Sequence, residues 1–451
     1  MKILLVNPWI YDVASFDYWL KPLGLLILGR YLRESGHDVK LIDCLNRYDD
    51  DLIKFTGKTP KSKWNGTGKF MDKKVNKPPS IKHVPRNLKR YGLPLEVFQD
   101  KIEKLKTDGW KPDYIFVTSA MTYWYLGPWK AIEILKRNYP DIPVMIGGNY
   151  AVLMSEHAKK SGADIICKTA KIEETLNFLN DIGIKIDNYE MDLTPDYSLY
   201  GKGTGHLVFL TSLGCPYHCT YCATPKIQRF YQMPPKKMVE SIVKYVDLYD
   251  EKNVAFFDDA ILINHKLHFD EILNGLIDAG LPQRGVKLHV PNGIHAKLLK
   301  KESAELMMKA NVKSIKIAIE TMDPKRQKET GGKVSNEDFF NAVRILKEVG
   351  FTGKELSAFV LMNLPGQTSD EILHALYTCH DLEINSEINE YTPIPGTVDY
   401  QRFLSKNSEL ANFDPIQLNN TILIYSFEDG LTFEEVERIK NTYKTDIKFR
   451  G

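Results

Sequence analysis

The chain has 451 residues, enough for two or three domains with ample core, and a formal net charge of +2, so overall charge selects no class of partner. Six cysteines are too few, and too scattered at Cys44, Cys167 and Cys379 outside one cluster, for a disulfide framework. No signal-peptide pattern opens the chain and no apolar run reaches membrane-spanning length, so a cytoplasmic protein with no membrane partner is expected.

The first part alternates strands and helices. KILLVNP (2–8) reads as a strand buried on both faces. KPLGLLILGRYLRESG (21–36) has helical periodicity, with Pro22 near its start and Gly36 at its end. DVKLIDC (38–44), DYIFVTSAMT (113–122), PVMIGGN (143–149) and ADIICK (163–168) are the further strands, with helices near 128–138 and from about 171. This rhythm predicts a Rossmann-like, doubly wound parallel sheet over 1–184. A basic insert over about 46–110 interrupts it. Within that insert, residues 54–90 carry twelve Lys or Arg against one acidic residue, Asp72, and read as a loop. Either it is a solvated cover over the domain or a surface for an anionic partner or substrate. No RNA-binding signature supports nucleic acid.

Residues 185–204 read as a linker rich in turn formers. From 205 to 400 a second βα series follows. Its strands are HLVFLTSLG, NVAFFDDAILI, VKLHVPNGI, SIKIAIET, ELSAFVLMNLPG and SEINEYTPIPGT. Six repeats cannot close an eight-stranded barrel, so an α/β partial (β/α)6 barrel of the TIM type is expected, with its chemistry at the carboxyl ends of the strands. The last fifty residues read as a small helical appendage, 401–451.

Cys215, Cys219 and Cys222 stand in the run SLGCPYHCTYCATP, spaced C-x3-C-x2-C, in the loop after the first barrel strand. Three such thiolates can hold three irons of a 4Fe–4S cubane. With no fourth ligand nearby, one iron stays open for reaction, as open metal sites do. The alternatives are a zinc site that recruits His218, or three unrelated thiols. Four ligands so close in sequence would strain a tetrahedral zinc site.

This motif resembles the signature of the radical S-adenosylmethionine (SAM) superfamily. The whole layout over about 1–400 resembles the cobalamin-binding radical SAM enzymes, class B-type methyltransferases among them. Further fragments carry the likeness: KPLGLLILGRYLRESGHDVKLID, VMIGGNYAVL, FFDDAILI, NGIHA, IAIET, NLPGQT and YTPIPGT. The resemblance implies three cofactors: a 4Fe–4S cluster on the three cysteines, SAM on the open iron, and cobalamin on the first domain. It implies that Tyr221 lies beside the adenine. Asp258 and Asp259 would serve the methionyl part of SAM, where carboxylates can accept from its ammonium. Asn292 with Gly293, Glu320 and Gly366 would line the rest of the SAM site. A turn or cap role is the rival reading for each of these. Cobalamin is expected at the switch point of the first sheet. Asn7, Trp9 and Tyr11 would build it with Thr118, Ser119 and Met121, and with Gly147, Gly148 and Asn149. Packing is the rival reading for the aromatics.

Two departures stand out. The loop after the first strand, NPWIYDVASFD, lacks the D-x-H-x-x-G motif, so it offers the cobalt no histidine. KTAKIEET (168–175) replaces a Gly-Glu-Gly-Glu-type loop, with Lys168 and Lys171 changing the local charge. The resemblance implies C-methylation of an unactivated carbon. One SAM would methylate the cobalt, and a second would yield the 5′-deoxyadenosyl radical that opens the substrate, a peptide or protein side chain among the candidates. A small electron donor of the flavodoxin or ferredoxin type goes with it. A cyclisation or rearrangement without methyl transfer, and a non-catalytic iron–sulfur or cobalamin sensor, are the alternatives. A methylthiotransferase fits poorly, because no second cysteine triad occurs in the first domain.

Overall fold

The computed structural model describes residues 1–187, 190–407, 413–427 and 430–447. Residues 188–189 of the expected linker, and 408–412, 428–429 and 448–451 of the expected appendage, lie outside the described residues. Two compact units are present. One is Met1–Phe209 with Tyr245–Glu251 and Asp414–Ile416; the other is Leu210–Lys244, Lys252–Phe413 and Gln417–Gly451.

In the first unit, strands β1 (Lys2–Asn7), β2 (Asp38–Asp43), β3 (Tyr114–Val117), β4 (Val144–Ile146) and β5 (Ile165–Ile166) form one sheet. Their order is β2-β1-β3-β4-β5, and every pairing is parallel. Ile3 to Val6 are wholly buried, as a strand covered on both faces requires. The order reverses between β1 and β3, so the crevice at the switch point opens beyond Asn7 and Val117. Helix Leu23–Glu34 starts directly after Pro22 and buries Leu25, Leu26, Tyr31 and Leu32. The expected linker is packed structure: Asp196 caps a 3-10 turn, Tyr197–Tyr200, and accepts from Arg33 at 2.8 Å.

The basic insert is more ordered than its composition suggests. Helix Asp50–Thr56 is capped by Asp49. Asp72–Lys74 and Lys89–Tyr91 pair antiparallel, and the latter pairs with Ile10–Asp12. The insert is therefore stitched onto the loop that leaves β1. Arg47, 4% exposed, organises it: Nε donates to Asp17 Oδ2 at 2.7 Å, Nη2 to Gly66 O at 2.7 Å, and Nη1 to Ser62 Oγ at 3.1 Å. Lysines 58, 61, 63, 69, 73 and 74 face solvent around this buried guanidinium.

Strands β6 (Leu207–Phe209), β7 (Asn253–Phe256), β8 (Lys287–Ile294), β9 (Val312–Glu320), β10 (Leu356–Met362) and β11 (Asn385–Glu390) make the second sheet, ordered β11-β10-β9-β8-β7-β6. Neighbours from β7 to β11 pair in parallel. Helices Phe269–Asp278, Lys301–Lys309, Asn336–Val349 and Ser369–Asp381 alternate with these strands, giving an open, barrel-like array. Ser335 and Asp338 form a capping box on the third of these helices. The register slips between Val290 and Ile294 and between Ala318 and Glu320, near the carboxyl ends of β8 and β9. Such irregularities re-aim side chains at a rim. The C-terminal residues add helices Val398–Lys406 and Phe433–Thr442, with Phe403, Leu418 and Leu423 in a small core. No helix among the described residues is long and apolar enough to cross a membrane.

Arg47→Met should expose the cost of the insert's anchor. Removing one partner of a buried ion pair leaves Asp17 without its guanidinium, at about 3–5 kcal/mol. Denaturant unfolding of the purified chain should show a loss of that order, and a loss below about 1 kcal/mol would contradict the role given to Arg47.

Candidate functional site

The three cysteines occupy a loop that is clamped at its base and along its length. Ser212–Leu213 pairs antiparallel with Tyr231–Gln232, closing the loop. Gly214, just before Cys215, has φ +70, and a Cβ there would lie 2.8 Å from the Arg229 carbonyl oxygen, so this corner requires glycine. Asp258, 2% exposed at the end of β7, accepts from Thr211 N at 3.1 Å and Thr211 Oγ1 at 2.7 Å. It also accepts from Ser212 N at 2.5 Å and Ser212 Oγ at 2.6 Å. Further along, Thr220 donates its backbone N–H to Thr330 O at 3.2 Å and its hydroxyl to Asp399 Oδ2 at 2.9 Å.

Cys215, Cys219 and Cys222 are half-buried free thiols on this loop. Burial pushes the Cys215 thiol up to about 11; a ligating metal deprotonates such a thiol outright. Among the described residues no three His, Cys, Asp or Glu side chains converge as ligands of a single ion. A cubane seats each cysteine on its own iron and so takes thiols spread around a larger core. One loop, three accessible sulfurs and a clamped backbone fit that group.

The expected SAM residues lie at the carboxyl ends of the strands beside this loop. Both oxygens of Asp258 are taken by residues 211 and 212, so its carboxylate acts on the loop. Asp259 is the carboxylate that faces open space. Surrounding protein, and then the charge of Asp258, push its pKa up to about 6. Asn292 is exposed and donates to Phe257 O at 2.7 Å, tying the end of β8 to that of β7. Glu320 ends β9 at φ +65, a left-handed conformation that costs a non-glycine residue about 1–3 kcal/mol. Gly366 is exposed, and its carbonyl accepts from Arg326 Nη2 at 3.1 Å. Arg326 also pairs with Glu371 at 2.7 Å, bracing the 364–368 loop.

Two residues here escaped sequence reasoning. Lys333 donates to Glu320 Oε1 at 2.6 Å and lies 5.8 Å from the centre of the Tyr221 ring. Burial lowers its pKa, but the Glu320 carboxylate and the neighbouring Cys219 and Cys222 together offset this and hold the ammonium above its ordinary value. Its loop touches the cysteines: a Cβ on Gly331 would be 3.1 Å from the Cys219 Cα. His295, after β8, stacks on Tyr217 at 4.8 Å, and its Nε2 is 4.0 Å from the Cys215 sulfur. Burial pushes its pKa down to about 4. The sequence signals were local: T-G-G-K is a loop after a short helix, and N-G-I-H, within the NGIHA fragment, closes β8.

At the rim of the first sheet, Asn7 donates to Asp43 Oδ1 at 2.6 Å. Trp9 is 1% exposed, donates to Leu93 O at 2.6 Å and packs edge-on against Phe98. Tyr11 is half-buried on the strand that meets the insert. Ser119 donates to Gly147 O at 2.6 Å. Gly148 has φ +90, and a Cβ there would sit 2.1 Å from the Ser119 carbonyl oxygen, so the glycine permits this contact between loops. Met121 and Asn149 are exposed, and Thr118 and Gly147 half-exposed. The structure thus leaves Thr118, Met121, Gly147 and Asn149 open at the rim. Asn7, Trp9, Ser119 and Gly148 hold the loops beneath them.

Residues 209–377 match the family model of the Radical SAM superfamily, so this segment of the chain is a radical SAM domain. Among curated relatives it is 23% identical over 263 residues to an uncharacterized methyltransferase of Pyrococcus horikoshii, covering 57% of this chain and 52% of that one. It is 27% identical over 237 residues to the anaerobic magnesium-protoporphyrin IX monomethyl ester cyclase of Cereibacter sphaeroides, covering 51% and 37%. The chain thus spans about half or less of the length of these relatives. In fold it resembles the radical SAM methyltransferase TsrM of Kitasatospora setae, with a TM-score of 0.65 at 14% identity over 90% of this chain and 76% of that one. It also resembles the cobalamin-dependent SAM radical enzyme OxsB, with a TM-score of 0.57 at 15% identity over 99% of this chain and 61% of that one.

The raised pKa of Asp259 makes a stability prediction. A carboxyl whose folded pKa, about 6, exceeds its ordinary 3.8 favours the fold when protonated; that contribution is complete below about 4 and lost as pH rises through 6. Asp259→Asn should therefore raise the unfolding temperature of the cofactor-free chain at pH 8 and change it little at pH 3. Equal shifts at both pH values would rule out the ionised carboxylate as their cause.

Proposed function

We propose that the chain is a cobalamin-dependent radical SAM enzyme that transfers a methyl group to an unactivated carbon. One observation carries the reading: a clamped loop bearing three half-buried thiols at the carboxyl rim of a partial barrel, in a chain whose first unit has an open switch-point rim. When bound, the cluster with SAM supplies a carbon-centred radical and the corrin supplies the methyl group. The chain's own residues bind and orient. Cys215, Cys219 and Cys222 hold three irons. Asp259 accepts from the SAM ammonium, while Asp258 keeps the cysteine loop in register. Tyr221, Asn292, Glu320 and Gly366 line the nucleoside and methionyl parts, and Lys333 balances the charge of Glu320 beneath the Tyr221 ring. Such preorganisation is the protein's share of the rate.

In the first unit, Thr118, Met121, Gly147 and Asn149 would meet the corrin, on loops held by Asn7, Trp9, Ser119 and Gly148, with Tyr11 at their border. This rim suits a flat ligand resting on backbone and small side chains. A small electron donor of the flavodoxin or ferredoxin type, a cytoplasmic setting and a peptide or protein substrate go with this reading. The match to a cyclase favours one second reading, a radical cyclisation or rearrangement on the same cofactors. Product mass separates the two, because only methyl transfer adds one CH2.

Anaerobically reconstituted chain, given SAM, cobalamin and reductant, should release 5′-deoxyadenosine, and S-adenosylhomocysteine with a competent substrate. Cys219→Ala should abolish deoxyadenosine while corrin absorbance stays, and Asp259→Asn should weaken SAM binding severalfold with iron content unchanged. Stoichiometric zinc with no iron in oxygen-free preparations would end the reading.

A further inference from the structure

We propose that His295 is a positioning residue for the iron–sulfur site: its Nε2–H donates a hydrogen bond to the Cys215 sulfur and makes the cluster easier to reduce. The inference rests on the radical SAM reading and adds to it a residue that acts through a ligand. His295 directly follows β8 and is 5% exposed. Its Nε2 lies 4.0 Å from the Cys215 sulfur, within reach of an N–H···S bond.

Three further features decide what this imidazole can do. The ring is stacked on Tyr217 with centroids 4.8 Å apart and planes 14° from parallel, and Tyr217 is two residues beyond Cys215 on the same loop. The stack therefore fixes the ring plane relative to the cysteine it faces. The backbone beneath is also held, since His295 O accepts from Leu298 N at 2.9 Å at the start of a 3-10 turn. Finally, Nδ1 is buried and has no hydrogen-bond partner. A proton on Nδ1 would bury an N–H with no acceptor and incur its full desolvation cost, whereas a proton on Nε2 points at sulfur. The geometry thus selects the Nε2–H tautomer, and with it a donor rather than a metal ligand.

A hydrogen bond to a ligating sulfur stabilises the more negative, reduced cluster more than the oxidised one and raises its potential. Lys333 contributes positive charge from the side of Cys219, so His295 is the neutral donor on the side of Cys215.

The test uses the full chain, purified and reconstituted without oxygen, with iron counted and the cluster titrated by EPR-monitored redox potentiometry. His295→Phe keeps an aromatic ring over Tyr217 and removes both nitrogens; His295→Gln restores an N–H. The expected result is full iron in all three proteins, a more negative midpoint potential in His295→Phe, and partial recovery in His295→Gln. Full iron with an unmoved potential in His295→Phe overturns the proposal while leaving the radical SAM reading intact; a wild-type chain without iron sinks both. Should His295→Phe hold no iron, pulsed EPR of the wild-type cluster with 15N-labelled histidine decides. A weak 15N coupling supports the bond through sulfur, and no coupling, or one as strong as direct ligation gives, overturns it.

Discussion

A single buried carboxylate holds the cysteine loop of this protein in place. Asp258 sits at the end of β7, sealed from water, and receives four hydrogen bonds from the backbone and hydroxyls of Thr211 and Ser212. Burying a charge is costly unless donors surround it, and here they do. The consequence is geometric. The residues that lead into Cys215 are fixed to the neighbouring strand of the barrel, so the loop starts from a defined point and direction. Everything further along, from the Thr220 contacts to the Gly331 backbone against Cys219, refines a position that Asp258 first sets.

Around that loop the charges are arranged with economy. Lys333 and Glu320 form a close pair beneath Tyr221, and Glu320 is held at positive φ to reach it. Asp259 carries an elevated pKa, first because the rim partly desolvates it and then because of the Asp258 carboxyl beside it. One carboxylate thus builds the loop, a second is paired with an ammonium, and a third faces open space. The three carboxylates sit in three different environments at one rim. Strained and desolvated groups gather at one end of the strands because the sheet is rigid enough to bear them.

The first unit solves a different problem. Its sheet needs a covering on the side where β1 ends, and the insert supplies it through an antiparallel ladder and two buried guanidinium groups, Arg47 and Arg90. The many exposed lysines are affordable because the structural cation, Arg47, is satisfied inside. At the switch-point rim, the residues that hold the loops and the residues that remain open are different sets. The small side chains and backbone left there suit a ligand that is recognised by shape more than by charge.

The order of strands and helices was legible from apolar runs and their caps, because parallel strands buried on both faces have a compositional signature that survives any tertiary context. The cysteine triad was legible for a similar reason, since three thiols on one loop are a local feature. The insert was not: its lysines hid two short strands that pair with each other, and only the second, Lys89–Tyr91, reaches a partner far away in sequence, at 10–12. Neither Lys333 nor His295 could be found, because each acquires meaning only from a cysteine more than seventy residues away. The roles of Asp258 and Asp259 were likewise inseparable in the chain, where they are adjacent and identical; successive residues leaving a strand point to opposite sides, and only the folded barrel decides which one meets the loop and which one the open rim. The sequence by itself determined the class of fold and the three-cysteine motif, which depend on periodicity and spacing. Tertiary structure decided how the site is charged, strained and clamped, which depends on distances between residues remote in the chain.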